Sequence, residues 1–240
     1  MPRISVLPVR SSHRPRDVQK FLELIGLRTL AGADDEIRMR AAGGQVELSA
    51  RGHSGQTRLS FETDDLEALA ARLTEAGVPD VVLSETGRPS LTCRDPLGDA
   101  VAIRRRAAGH HPGPLPLTTI VPVRFTDPAG PYAQFLSALG LRPTSDSSEY
   151  HVNFGGDRPG DGQVRLHYPY RDDPPVVAGD RAAAVQLTFE SAEPLEAIAA
   201  RLRAAGHEPV IVVHKLETAL EVVDPDGQQV DVAGAATGTQ

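Results

Sequence analysis

The segment "VRLHYPY", residues 164–170, holds the residue types best suited to binding a ligand. Arg165 and His167 are two positions apart, so the period of a strand places both side chains on one face of a sheet. That face is used either for a ligand contact or for a cross-strand polar contact. Tyr168 and Tyr170 follow, and they form either an aromatic wall for a planar ligand or the packed side chains of a Pro-restrained loop.

Composition and missing motifs exclude several classes of protein. Cys93 is the only cysteine, so the chain by itself forms no disulfide and no thiolate zinc site. There is no nucleophile elbow, P-loop or dinucleotide-binding glycine turn. A net charge of −7 argues against nucleic acid and against a membrane as partner, and we expect the run at 104–106, "RRR", to end a strand on a solvated face. With no signal peptide at its start, the protein is expected to be cytoplasmic.

The elements that must position these residues occur twice. "LEALAARLTEAGV" at 66–78 and "LEAIAARLRAAGH" at 195–207 predict the same amphipathic helix, and in each a glycine marks the end. Two shorter motifs are also repeated, "VLPVR" at 6–10 with "IVPVR" at 120–124, and "DPLGD" at 95–99 with "DPDGQ" at 224–228. The chain is therefore an internal duplication.

Each half contains the order strand, helix and three strands twice. The four units are predicted at residues 4–52, 57–105, 118–172 and 184–234. They form two modules, 1–106 and 118–235, with a Pro/Gly-rich linker at 107–117 and a flexible tail at 236–240. We expect an α+β fold with strongly curved mixed sheets, in which units pair to bury one sheet face.

This order of motifs resembles the vicinal oxygen chelate superfamily of glyoxalases, bleomycin-resistance proteins and extradiol dioxygenases. The motifs that carry the resemblance are "VLPVR", "FLELIGL", "RLSFETDDLEALAARLTEAGV", "DPLGDAVAIRR" and their counterparts in the second half. The sequence is most similar to the bleomycin-resistance branch. Members of that branch resemble dimers of a chain half this long, so this chain resembles a fused dimer. The resemblance implies two fused glyoxalase-like modules with cup-like sheets, in a monomer or a homodimer.

In metal-dependent members of that superfamily, strand residues hold a divalent cation through His, Glu or Gln. The first-strand positions correspond here to Ser5 or Val6 and to Thr119 or Ile120, and none of these is a convincing ligand. The remaining positions correspond to Glu47, Arg58, Ala102, Arg165, Gln186 and Asp231. The two-histidine, one-carboxylate set that holds iron is absent, which argues against dioxygenase chemistry.

Two ways of pairing the units remain open. If each half folds on itself, one pocket contains Glu47 with Arg58. The other pocket then contains Arg165 with Gln186 and Asp231, so each arginine has a carboxylate partner and no cation is required. If the units swap, Glu47, Gln186 and Asp231 meet as three oxygen ligands, while the two arginines share a pocket suited to an anion. Self-pairing is favoured, because two arginines together need an anion.

Three functions follow from these alternatives. The favoured one is metal-independent binding and sequestration of an antibiotic-like small molecule without a cofactor, and cleft carboxylates favour a cationic or polar, planar ligand. The alternative is a glyoxalase-like lyase or isomerase with Ni, Zn, Mn or Fe at Glu47, Gln186 and Asp231. The third is a scaffold with idle pockets. Whether the protein is an enzyme stays open.

Overall fold

The computed structural model describes residues 2–106, 114–169, 185–213 and 218–234. The first unit comprises β1 Ile4–Val6, β2 Val9–Ser11, α1 Pro15–Ile25, β3 Arg28–Ala33, β4 Glu36–Arg40 and β5 Gln45–Ser49. The second unit comprises β6 Thr57–Arg58, β7 Ser60–Thr63, α2 Leu66–Glu75, β8 Val82–Ser84, β9 Ser90–Arg94 and β10 Ala100–Arg105.

The second half of the chain repeats this order. The third unit comprises β11 Thr118–Ile120, β12 Val123–Phe125, α3 Pro131–Leu139, β13 Arg142–Ser147, β14 His151–Gly155, a 3-10 turn Pro159–Asp161 and β15 Gln163–His167. The fourth comprises β16 Val185–Gln186, β17 Thr188–Ser191, α4 Leu195–Ala204, β18 Val210–Val213, β19 Thr218–Val223 and β20 Gln229–Gly234. The predicted tail and most of the predicted linker lie outside the described residues.

The first strand of every unit is broken into two short strands that belong to different sheets. Sheet A has the order β1-β7-β10-β9-β8, and sheet B has the order β3-β4-β5-β2-β6. Sheets C and D repeat the pattern as β11-β17-β20-β19-β18 and β13-β14-β15-β12-β16. Because the broken strands cross from one sheet to the other, sheets A and B form one cup and sheets C and D form a second. Each cup is built from one half of the chain.

Proline stands where the chain crosses between sheets. Pro8 lies between β1 and β2, and Pro122 lies between β11 and β12. Proline has no N–H to give to a strand ladder, so it is tolerated at strand ends. The partner sheet changes at this point, since the Leu7 N–H donates to the Ser60 carbonyl of sheet A at 2.9 Å and the Pro8 carbonyl accepts from the Glu47 N–H of sheet B at 3.0 Å.

The helices pack in pairs that join the two halves. α2 lies against α3, where Leu73 and Leu139 are in one buried core, and α1 lies against α4, where Leu22 and Leu202 are in the other. Each core therefore contains residues from both halves of the chain. Burial of these apolar side chains holds the halves together, at roughly 1.5–3 kcal/mol for each fully buried residue.

Local signals in the sequence set the ends of two of these helices. α1 and α3 both start with a proline at the first helical position, Pro15 and Pro131, where a missing N–H costs nothing. Gly26 and Gly140 end them in the left-handed conformation, with φ of 109° and 107°. The predicted α+β fold with four repeated units is confirmed. Among the described helices, none is long and apolar enough to cross a membrane.

The two halves are also joined by a buried arginine that binds the Asp-Pro-x-Gly turn of the fourth unit. Asp224 uses one carboxylate oxygen to accept the turn N–H groups of Asp226 and Gln228, both at 2.9 Å. The other oxygen accepts a hydrogen bond from Arg10 of the first unit. Both side chains of this ion pair are only 2% exposed, and Arg10 also donates to the Gly55 carbonyl. Burial lowers the pKa of Arg10 and raises the pKa of Asp224.

The second copy of this contact joins the second and third units. Asp95 accepts its own turn N–H groups through one oxygen. Its other oxygen accepts from Arg124 at 3.3 Å and from the Tyr132 hydroxyl at 2.9 Å. Asp99 adds a second carboxylate to Arg124. The repeated "PVR" and "DP-x-G" motifs are therefore the two sides of one duplicated contact.

Candidate functional site

The first-half cup, formed by sheets A and B, contains a cavity of about 280 Å³. In sheet B, Val9 of β2 lies directly between Glu47 of β5 and Arg58 of β6, so these three side chains share the concave face. Apart from them, the cavity is lined by Asp35, Glu36, Ser49, Arg51, Leu59, Ser60, Thr92, Ala100, Val101, Ala102 and Arg104. Two of the predicted pocket residues, Glu47 and Arg58, therefore do face a cavity.

The buried carboxylate of this cup is held by arginines that the sequence did not point to. Glu47 is 2% exposed, accepts a hydrogen bond from Arg104 of β10 and lies 3.4 Å from the Arg38 guanidinium of β4. The expected partner, Arg58, forms no bond with it. That expectation failed because Glu47 is reached by the neighbouring strand and by the facing sheet, and both partners depend on the tertiary structure. Arg104 also corrects the prediction that its basic run lies on a solvated face.

A second buried glutamate completes a four-residue charge network on the floor of the cup. Glu62 of β7 accepts from Arg38 at 2.6 Å and is 2% exposed. Arg38 therefore bridges Glu47 and Glu62, and Arg104 binds Glu47 from the facing sheet. Two guanidinium groups balance two carboxylates, as charges removed from water require. The floor of the cup thus carries no net charge.

Arg58 stands apart from this network. Its side chain is exposed and lines the cavity. Across the described parts of the chain, it has no hydrogen bond and no ion pair. Arg51, which is also exposed and lines the cavity, has no side-chain partner there either. The cup therefore has a neutralised floor and two arginines at its side that carry positive charge without a counter-charge.

A second cavity of about 450 Å³ lies on the other side of Glu36. Its lining includes Arg38 and Glu62 from the floor together with the small residues of β3. Asp35 and Glu36 line both cavities. Glu36 is bound by Arg88 at 3.3 Å and lies 3.8 Å from Arg104. This exposed ion pair therefore joins a residue shared by both cavities to a residue that lines the second.

The second-half cup, formed by sheets C and D, has its charges arranged differently. Arg165 of β15 donates to the Asn153 side chain of β14 at 2.8 Å and to Glu190 of β17 at 3.0 Å. It therefore does have a carboxylate partner, but that partner is not Asp231 as expected. Asp231 of β20 instead accepts from Gln186 at 2.7 Å and from Gln229 at 3.0 Å.

Equivalent positions of the two cups can be compared directly. Glu47 and Arg165 occupy the same place in their sheets, so this charge is reversed between the halves. Glu62 and Glu190 also correspond, and both are glutamates that bind an arginine of the facing sheet. In the second half Glu190 matches Arg165, and Asp231 is a further carboxylate that accepts from two glutamine amides. Sequence reasoning did not identify Glu62 and Glu190, because only the facing sheet shows which residue completes each pair.

His167 lies in the second-half cup, as the alternation with Arg165 predicts. Its ring stacks against that of His151, with 6.1 Å between centroids and 10° between planes. The Phe125 ring meets it edge-on at 6.3 Å, and its Nδ1 lies 2.5 Å from the Tyr168 carbonyl. The cross-strand interpretation of His167 is thus supported, since His151 is its direct neighbour in the sheet. Tyr168 is 42% exposed, and Tyr170 lies outside the described residues.

The positions that hold a metal in the superfamily do not form a ligand set. The first-strand candidates Ser5 and Thr119 pair with Glu62 and Glu190, which are bound to arginines. No group of three or more His, Cys, Asp or Glu side chains in the described ranges is placed to hold a metal ion. The described residues at these positions therefore do not form the ligand set that the resemblance implies for a divalent metal.

The swapped pairing of units, which would have joined three oxygen ligands, is not adopted. Glu47 belongs to the network of sheets A and B, whereas Gln186 and Asp231 bind each other between sheets D and C. Hydrogen bonding between the crossing strands links the two units within each half, so the first and fourth units share a helix interface and not a cup. The ligand set of the lyase or isomerase alternative is thus not brought together.

Solved structures with the same architecture were found over nearly the whole chain. A catechol 2,3-dioxygenase matches 96% of this chain and 86% of its own, with a TM-score of 0.63 and 17% identity. The chain has the vicinal oxygen chelate fold. The Mn(II)-bound glyoxalase from Novosphingobium aromaticivorans matches 98% of this chain and 83% of its own, with a TM-score of 0.61 and 14% identity.

A third vicinal oxygen chelate structure is the homoprotocatechuate 2,3-dioxygenase from Arthrobacter globiformis. It matches 98% of this chain and 80% of its own, with a TM-score of 0.61 and 15% identity. No model of a protein family matches the sequence, and no curated protein matches it. At these identities the likeness establishes the vicinal oxygen chelate fold, and chemistry must be argued from the cups themselves.

Proposed function

We propose that the protein binds and sequesters a small molecule without a metal, in the manner of the bleomycin-resistance branch of the vicinal oxygen chelate fold. The observation that carries the proposal is the first-half cup. It keeps an open cavity while its buried carboxylates, Glu47 and Glu62, are neutralised by arginines. A cup arranged in this way has room for a ligand but offers a cation no ready oxygen set.

The residues around the cavity suit binding better than turnover. Val9, Leu59 and Val101 supply apolar wall, and a few polar groups stand among them, as in small-molecule sites generally. Cys93 is buried with its pKa raised to about 12, mainly by burial, so its thiol is not a nucleophile at neutral pH. No residue on the cavity wall is paired with a neighbouring base as a nucleophile would require.

The ion pairs of the first-half cup favour a different ligand charge from the one that the sequence favoured. Cleft carboxylates suggested a cationic ligand, but Glu47 is bound to Arg104 and Glu36 is bound to Arg88. A cation would have to displace these guanidinium groups to reach Glu47 or Glu36, at the cost of breaking existing ion pairs. Asp35 is the one carboxylate of this cavity lining that no arginine binds among the described residues. A neutral or anionic ligand meets no such barrier.

The experiment is a ligand screen by ligand-observed NMR on protein treated with EDTA, using small aromatic and heteroaromatic compounds. Two variants locate the site. Ala102→Phe fills the first-half cavity, which Ala102 lines. Ala233→Phe makes the same change on the final strand of the second-half cup and serves as the matched control. We expect binding that survives EDTA, is lost in the first variant and is kept in the second.

Elemental mass spectrometry provides the second readout. Protein expressed with Ni, Zn, Mn and Fe supplied, then dialysed, is expected to hold no metal above background. One metal per chain, lost in Asp231→Asn, would overturn the proposal and restore the metal-dependent alternative. Binding lost in Ala233→Phe alone would move the site to the second-half cup.

A further inference from the structure

The first-half cup contains one inward-facing arginine that the charge network does not use. Arg38 and Arg104 are both bound to buried glutamates, and Arg165 of the other cup is bound to Glu190. Arg58 shares the concave face with Glu47 and lines the same cavity. Within the described ranges it nevertheless has no partner.

We infer that Arg58, with Arg51 beside the same cavity, is the anchor for the anionic group of the ligand, and that this group is a carboxylate. The inference rests on the proposed function and names its ligand class. Arginine presents its donors as a planar fork that fits a carboxylate through two parallel hydrogen bonds. Both guanidinium groups are exposed enough to be reached from solvent and have no competing internal acceptor.

The charges around the cavity support an anion over a cation. The arginines that line it or bind its lining are Arg38, Arg51, Arg58, Arg88 and Arg104, against the carboxylates Asp35, Glu36, Glu47 and Glu62. Five positive groups meet four negative groups, in a protein whose net charge is −7. The local excess of positive charge is therefore opposite to the overall charge, and one anion would balance it.

The shape of the cavity limits the rest of the ligand. Its volume of about 280 Å³ is at the small end of the ~300–1,000 Å³ of drug-sized ligand pockets. The lining also contains the apolar residues Val9, Leu59 and Val101. The ligand class is thus a small carboxylic acid with a compact apolar body, such as a single ring.

The test uses three probes of nearly the same shape and different charge: benzoate, benzamide and benzylamine. Phenyl phosphate is the fourth probe and distinguishes a carboxylate from a phosphate. Their dissociation constants are measured by ligand-observed NMR on the wild-type protein, on Arg58→Gln and on Arg105→Gln. Arg105 is on the same strand as Arg104, faces α2 and binds Glu67 there, so its variant removes an equal charge outside the cup.

We expect benzoate to bind most tightly and to lose about tenfold or more in affinity in Arg58→Gln, because a charge-assisted hydrogen bond is removed. Arg105→Gln is expected to bind benzoate as the wild type does. Added salt is expected to weaken the binding of benzoate and to leave the binding of benzamide unchanged.

The other outcomes separate this inference from the proposed function. If benzamide or benzylamine binds more tightly than benzoate, and Ala102→Phe still abolishes that binding, the anion inference is overturned and the small-molecule function stands. If phenyl phosphate binds more tightly than benzoate, the assignment of the anionic group as a carboxylate is overturned. If Arg58→Gln and Arg105→Gln lose the same affinity for benzoate, the effect comes from the net charge of the protein and the anchor role of Arg58 is overturned. Binding of none of these probes or of the screening compounds would overturn both proposals.

Discussion

Replacement of Arg10 by methionine tests whether the halves are held by a buried ion pair. Methionine keeps much of the side-chain length but leaves Asp224, which is 2% exposed, without its counter-charge. Breaking a buried pair in this way costs about 3–5 kcal/mol of unfolding free energy. For a chain of this size each kcal/mol is worth roughly 2–4 °C in Tm, so we expect Tm to fall by about 10 °C.

The size of this loss is expected to depend on pH. Burial raises the pKa of Asp224 and the Arg10 charge opposes that rise, so the variant should raise the pKa further. A carboxyl whose pKa is higher in the folded than in the unfolded protein adds stability while it is protonated and loses that contribution as pH rises through the folded pKa. The deficit of Arg10→Met is therefore largest at neutral pH and shrinks as pH falls towards the raised pKa of the buried carboxyl.

Urea unfolding at several pH values measures both effects. The double variant Arg10→Met/Asp224→Asn removes the Arg10–Asp224 pair and keeps an oxygen for the turn N–H groups, so it should recover part of the loss. Recovery is incomplete because Asp226, which is 2% exposed and lies 3.6 Å from Arg10, keeps its charge. Arg105→Met is the control, since Arg105 is 43% exposed in its pair and should change stability by about 1 kcal/mol or less. Three results would refute the role of Arg10 as a buried counter-charge. They are a loss of unfolding free energy below about 1 kcal/mol in Arg10→Met, a loss that grows on acidification, and a double variant that is no more stable than the single one.

Three further predictions concern single residues. Cys93 is buried with a thiol pKa raised to about 12, so a thiol reagent should label it at neutral pH only after urea unfolds the protein, and fast labelling of the native state would contradict this burial. Asp65 caps α2 by accepting the Ala68 N–H at 2.9 Å, so Asp65→Ala should lower the unfolding free energy by about 1 kcal/mol in urea titrations, whereas Asp65→Asn should not. Arg38→Gln leaves Glu62 buried without its cation and should cost about 3–5 kcal/mol; an unchanged midpoint of unfolding would show that water reaches Glu62.

The repeat and the local elements were predictable because their signals lie within a few residues of each other. The spacing of Leu66, Leu69 and Leu73 predicts α2 and its buried face, and all three are buried. Alternation along β15 likewise places Arg165 and His167 on one face. Such periodicity depends only on backbone geometry, which is the same in any protein that contains the element.

The pairing of charges was not predictable in this way. Local rules predict that Arg104 lies at a solvated strand end, whereas in the structure it turns into the cup and binds Glu47. Expected pairs between Glu47 and Arg58, and between Arg165 and Asp231, are replaced by others. Each true partner lies on a neighbouring strand or on the facing sheet, so its identity follows from which strands meet and in what register.

The sequence by itself determined the duplication, the four α+β units, the helix faces and the strand alternation that places Arg165 and His167 on one face. These depend on propensity, periodicity and turn chemistry, which act over short stretches of chain. Only the tertiary structure decided that each half forms its own cup, that Arg10 and Arg124 bind the Asp-Pro-x-Gly turns of the other half, and that Arg58 is left without a partner among the described residues. A charge pair is set by the distance between side chains far apart in the chain, and that distance exists only once the sheets have folded together.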